Sequence, residues 1–144
     1  MKKILLIFLI FALFSSDVEL TVNLVCAAQA PTSKVIAYYF HGSFRCPTCR
    51  KLEQYSKEAI ETNFEDALAA GELEFKVINV ETKENEHYTR DYQLYTKSLI
   101  LSFIKDGKQE RWKNLDKIWE YAGNRQRFID YVKDETGNFL REAQ

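Results

Sequence analysis

Cys46 and Cys49 stand three positions apart in the segment His41-Gly42-Ser43-Phe44-Arg45-Cys46-Pro47-Thr48-Cys49-Arg50-Lys51. Two thiols at this spacing can close a disulfide and, once reduced, can pass two electrons to another disulfide. Pro47 fits the first position of a helix, where its missing N–H is one the helix leaves unbonded anyway. Cys46 then becomes the N-cap, with its sulfur close to the free N–H groups of the first turn. Those donors and the helix dipole favour a thiolate over a thiol. Arg45 adds positive charge beside Cys46 and is expected to favour the thiolate further; Arg50 and Lys51 help more weakly.

The two sulfurs should differ. Cys49 continues the Leu52 and Ser56 face and is expected to point inward, while Cys46 sits at the exposed helix end. Cys46 is therefore the expected nucleophile and Cys49 the resolving thiol. Pro47 and Thr48, between them, are expected to influence the reduction potential. His41, five residues before Cys46, is a candidate proton shuttle or simply a cap on a strand end. Two other readings compete for the cysteines: a static disulfide stapling a helix start, and half of a zinc site. The zinc reading lacks a second cysteine pair, and only His41 and His87 are available as imidazole ligands. Ser43 and Thr48 have no partners that suggest hydrolase chemistry.

The elements around the pair must position it. Val35 to Phe40 is a continuous apolar run of strand formers, the pattern of a strand buried on both faces. Gly42-Ser43 breaks it, and a helix is expected from the cysteines onward, with a further helical piece over Phe64–Ala70 ending at Gly71. Leu73–Val80 reads as a second strand, Glu84–Tyr92 as a polar surface helix, and Leu99–Ile104 as a third strand. Asp106-Gly107 predicts a hairpin turn into a fourth strand near Gln109–Trp112. Helices are expected over Asp116–Ala122 and from Arg125 towards Arg141. The order β-α-β-α-β-β-α predicts an α/β domain with a mixed four-stranded sheet flanked by helices.

Composition fits one domain. The chain has 144 residues, 46% hydrophobic and 14% aromatic, enough apolar material for a core. Lys and Arg number 20 against 21 Asp and Glu, so there is no basic excess of the kind nucleic-acid binders show. Three cysteines are too few for a disulfide-built scaffold. At the N-terminus, Lys2-Lys3 precedes an apolar run from Ile4 to Phe14, and Ala28-Gln29-Ala30 offers a small-residue cleavage site. Residues 1–30 are read as a signal peptide and 31–144 as the domain, exported to the periplasm or another extracytoplasmic space. Asp17 and Glu19 are unusual before a cleavage site, and an uncleaved anchor is the alternative. Lipidation at Cys26 is disfavoured by Val25, where a small residue is wanted. Cleavage leaves Cys46 and Cys49 as the only cysteines.

The strand–Cys-Pro-Thr-Cys–helix segment and the Leu99–Gly107 hairpin resemble thioredoxin-like proteins, which implies the minimal thioredoxin-like fold. Phe40–Arg50, Asp91–Ser98 and Arg111–Leu115 are similar to segments of a small exported group. That group is found with arsenic-resistance operons and is described as a nitrophenyl compound nitroreductase subunit of the ArsF type. The resemblance implies a thiol electron carrier served by a membrane thiol-reductant donor. It implies no cofactor beyond a redox-active Cys46–Cys49 disulfide, since nothing looks like a flavin site. It also implies a substrate-facing loop opposite the pair, at Thr96-Lys97-Ser98. There thioredoxins carry a cis-proline, and this chain has only Pro31 and Pro47, so a trans loop is expected. Thioredoxins also bury an acid six residues before the first cysteine, where this chain has Phe40.

The expected function is thiol–disulfide oxidoreduction, reductive and dedicated to a partner. A partner-binding electron-transfer subunit without turnover of its own is the second reading, and a redox-silent interaction domain the third. The expected partner is a protein or small-molecule disulfide or dithiol, with no nucleic acid, no metal and a monomeric chain. Arsenite capture by the reduced dithiol is a side option.

Overall fold

The apolar run Val35–Phe40 forms the buried centre of β1 (Ser33–His41), and all six residues are buried. The computed structural model describes residues 32–143. The expected signal peptide, the Ala30 cleavage site, Cys26 and Pro31 lie outside them.

Strand β1 is paired along both edges, and both of its faces are covered over Val35–Phe40. It pairs in parallel with β2 (Leu73–Asn79), from Val35 opposite Leu73 to His41 opposite Asn79. On its other side it pairs antiparallel with β3 (Ser98–Lys105), placing Phe40 opposite Ser98. Strand β4 (Lys108–Asn114) completes the sheet in the order β2-β1-β3-β4. The β3–β4 hairpin turns at Asp106 and Gly107, with φ of 49° and 77°, the positive values a tight two-residue turn requires.

The parallel strands are joined by α1 (Pro47–Asn63) and the short α2 (Glu65–Ala69). Gly71, at φ 73°, reverses the chain into β2. The last helix, α4 (Arg125–Glu142), is capped by the Asn124 side chain, which accepts from the Arg127 N–H at 3.1 Å. A mixed four-stranded sheet with helices against it, in this order, is the α/β thioredoxin-like fold expected from the sequence.

Alternation along the strands divides the interior in two. Val35, Ala37 and Tyr39 of β1, with Leu99, Leu101 and Phe103 of β3, pack under α1 and α4 against Leu52, Ile60, Phe128 and Val132. Ile36, Tyr38 and Phe40, with Ile100, face the opposite way, towards Tyr88, Tyr92, Leu94 and Trp112.

Two expected helices are shorter than the sequence suggests. Glu84–Tyr92 contracts to α3 (His87–Asp91). The preceding residues form turns because the Asn79 carbonyl draws in Thr82 Oγ1 at 3.2 Å and Asn85 Nδ2 at 3.1 Å. Asp116–Ala122 holds only a 3-10 turn over Asp116–Ile118. Its bonds are mostly of the i→i+3 type, Ile118 to Leu115 and Trp119 to Asp116, and the Trp119 ring is tied away to the Lys97 carbonyl at 2.9 Å.

Candidate active site

Cys46 caps α1 in an extended conformation (φ −67°, ψ 161°), and Pro47 begins the helix. The Cys49 backbone N–H donates to Cys46 Sγ at 3.1 Å. Cys46 and Cys49 are joined by a disulfide, with Cα atoms 5.0 Å apart. The two halves are unlike: Cys49 is 2% exposed, whereas Cys46 is partly open and Pro47 and Thr48 are exposed. When the bond opens, the N–H already aimed at Cys46 Sγ becomes a donor to its thiolate, a stronger bond than one to a neutral sulfur.

Under the buried half lies Tyr39. Its hydroxyl donates to the Cys49 carbonyl at 2.7 Å. Burial pushes the Tyr39 hydroxyl up to about 12, against a downward pull from the Arg45 charge. Phe40, the position resemblance marks for a buried acid, turns to the other face of the sheet and is packed among Tyr38, Tyr88 and Tyr92. The β1 side chain beneath α1 is therefore Tyr39, one residue earlier. Alternation from Val35 and Ala37 was the available signal for it.

Arg45 does not stand alone beside Cys46. Its Nη2 pairs with the Glu53 carboxylate on α1, and its Nη1 donates to His41 Nε2 at 3.2 Å. His41 Nδ1 donates to the Gly42 carbonyl at 2.8 Å. The Nδ1–H tautomer satisfies both contacts, because a carbonyl can only accept and a guanidinium can only donate. His41, Arg45 and Glu53 thus form one chain of bonds behind the cysteine loop.

The loop itself is held from the end of β2 and the residues just after it. The Glu81 carboxylate accepts from the Ser43 backbone N–H at 2.9 Å. That bond holds the Glu81 carboxyl below its ordinary value. The carboxylate rests directly on Gly42, where any side chain would overlap it. Asn79 Nδ2 also donates to Ser43 Oγ at 3.3 Å.

The Thr96-Lys97-Ser98 loop enters β3 beside the end of β1, with Ser98 opposite Phe40. All peptide bonds of the described residues are trans, this loop included. A cavity of about 160 Å³ separates it from His41, Gly42 and Glu81. Tyr95, just before the loop, is 95% exposed, and Phe44 is 75% exposed. Glu53, Glu81 and Tyr39 are the site residues the sequence reading missed. The two acids reach the loop from 8 and 38 positions away, beyond any local motif.

No protein-family model matches the chain. No curated protein matches it either. Among solved structures, the chain is similar to Fasciola hepatica thioredoxin, at 20% identity over 70% of this chain and 80% of that one, with a TM-score of 0.38. It is also similar to a cysteine-to-serine mutant of Entamoeba histolytica thioredoxin, at 19% identity over 60% of this chain and 80% of that one, with a TM-score of 0.34. The strand order, the registers and the helix-capping disulfide define a thioredoxin-like fold carrying a C-x-x-C pair.

Proposed function

We propose that the chain is an exported thiol–disulfide oxidoreductase that works through Cys46 and Cys49. The observation that carries this reading is the disulfide at the N-terminus of α1, with one sulfur buried and the other accessible. The Cys46 thiolate attacks a substrate disulfide, forming a mixed disulfide and releasing one substrate thiolate. Cys49 loses its proton and attacks Cys46 Sγ. The intramolecular disulfide re-forms, the second substrate thiolate leaves, and the substrate has gained two electrons. A dithiol donor must then reduce the pair again; a membrane thiol reductant is the proposed source.

The test uses the reduced protein and a small model disulfide. Wild type releases two thiols per protein. Cys46→Ser abolishes the exchange, and Cys49→Ser stops at a trapped mixed disulfide. Full exchange by Cys46→Ser sinks the assignment. Export rests on Lys2-Lys3, the Ile4–Phe14 run and the Ala28-Gln29-Ala30 site. A secreted protein beginning at Pro31 is the expected readout; retention of residues 1–30 overturns cleavage.

The second reading is a subunit that passes electrons only to a dedicated partner, as in the nitroreductase or arsenic-related systems the sequence resembles. Phe44 and Tyr95 favour it, since one open ring two residues before Cys46 and another at the Thr96–Ser98 loop suit a polypeptide partner. Slow turnover of generic disulfides by the isolated chain, with an intact trapped intermediate, supports this reading over the first.

A further inference from the structure

Between β1 and α1 lies a charged cluster that the exchange reaction does not itself use. The side chains of Arg45 and Glu53 are 25% and 28% exposed, so their pairing is partly shielded from water. Arg45 Nε is buried and has no hydrogen-bond partner. Nη2 goes to Glu53 and Nη1 to His41, and the guanidinium is near enough to Tyr39 to act on its hydroxyl. Tyr39 in turn holds the Cys49 carbonyl. The positive charge therefore lies along the flank of α1, in a groove that Arg45 and Glu53 line with Arg50, Gln54 and Lys57.

Helix geometry explains how it gets there. Glu53 is four residues after Cys49 and seven after Cys46 in α1, on the same face as both. Its Cα lies about two turns, roughly 10 Å, along the axis from the cap. Arg45 precedes the helix, yet its head reaches Glu53. The carboxylate draws the guanidinium along the helix and cancels its charge.

We infer that Glu53 is a positioning residue for the cysteine pair: it holds Arg45 in a neutral couple and so keeps the disulfide on the reducing side. This rests on the redox reading above. A pair becomes more oxidising when its reduced, thiolate form is stabilised. A bare cation beside the cysteines would do that. With Glu53 in place, the Arg45 charge is compensated and the thiolate rests mainly on the helix N–H groups and the dipole. The other charged or titratable groups around the cluster are Arg50 and Lys57, which line the same groove as Arg45 and Glu53, and His41, Glu81 and Lys97 at the loop, with Tyr39 below it.

The test equilibrates the full chain with graded ratios of reduced and oxidised glutathione, for wild type, Glu53→Gln, Arg45→Gln and the double variant. Thiolate absorbance against pH is recorded on each reduced protein. Glu53→Gln keeps an acceptor for Arg45 but removes the compensating charge. It should shift the equilibrium towards the dithiol by roughly fivefold and move thiolate formation to lower pH. Arg45→Gln should shift both readouts the opposite way. The double variant should return to within about twofold of wild type, as expected when coupled charges are removed together. Shifts of the same sign in both single variants overturn the inference. So does an unchanged equilibrium in Glu53→Gln, whether or not unfolding shows lost stability, because a purely structural brace would not move the potential. If wild type fails to exchange with glutathione at all, the redox reading itself fails, an outcome distinct from these.

Discussion

Alternate residues of β1 open onto two unlike surfaces. Val35, Ala37 and Tyr39 meet two long helices, α1 and α4, and pack against aliphatic and phenyl side chains that are fully buried. Ile36, Tyr38 and Phe40 meet a five-residue helix and its flanking turns. There the cover is a set of rings, with Tyr38, Phe40, Tyr88 and Tyr92 at centroid distances of 5.2–6.0 Å. The first face carries the cysteine pair at the head of α1. The second carries the chain that leads through Leu94 and Tyr95 into the Thr96–Ser98 loop. The difference teaches a division of labour: the disulfide stands on the side closed by long helices, and the segment proposed to meet a partner belongs to the side covered by turns and a short helix.

The largest expected effect tests that contrast in stability. Leu52→Ala, on the closed face, should cost about 2–5 kcal/mol, read from urea unfolding. Tyr88→Ala, on the other face, is only partly buried and should cost less than half as much. Equal losses would break the comparison.

A smaller effect sharpens it at the site. Tyr39→Phe keeps the ring in the closed core but removes the bond to the Cys49 carbonyl. It should lower stability by about 1 kcal/mol. It should also soften the alkaline limb. Because Tyr39 titrates near 12 in the folded protein against 10 unfolded, its contribution is complete below pH 10 and is lost as pH rises towards 12. Unfolding at pH 7 and pH 11, compared between the two proteins, checks both signs.

The smallest effect concerns the latch on the cysteine loop. Glu81 is held below its ordinary value of 4.5 by the Ser43 backbone N–H. Its contribution is present above that value and is lost as pH falls through the depressed folded value. Glu81→Gln should flatten the acid limb by lowering stability slightly at neutral pH and leaving it unchanged at low pH. Part of the limb persists, because Glu74 is lowered in the same way by Lys34 and Lys76. An unchanged acid limb would show that the latch adds nothing to folding.

Much of this architecture was legible in local patterns. The apolar run of β1, the Cys46-Pro47 cap-and-start and the Asp106-Gly107 turn each carry their conformation in adjacent residues. Which face each β1 residue takes was legible only in part. A continuous apolar run hides its own alternation, so nothing in the run itself separates Tyr39 from Phe40. The expected helices over Glu84–Tyr92 and Asp116–Ala122 are shortened for a different reason. Side-chain bonds to Asn79 and the tie from Trp119 to Lys97 compete with helical bonding from outside those segments. Glu53 and Glu81 were invisible because their partners, Arg45 and Ser43, belong to the loop and not to their own elements. The charge of Arg45 is plain in the sequence, but the carboxylate that pairs with it lies in the second turn of α1.

The central place of β1 has a consequence for hydrogen exchange. Its amides are bonded into neighbours on both sides, so they should become labelled only when the whole molecule opens. Residues 80–97 are joined mainly by single turns and should label through local openings. The strand that ends at His41 and leads into the cysteine loop thus sets the slowest clock in the protein. The stretch leading to Tyr95 and Lys97 runs on a faster one, and it can be reshaped without disturbing the base on which the disulfide sits.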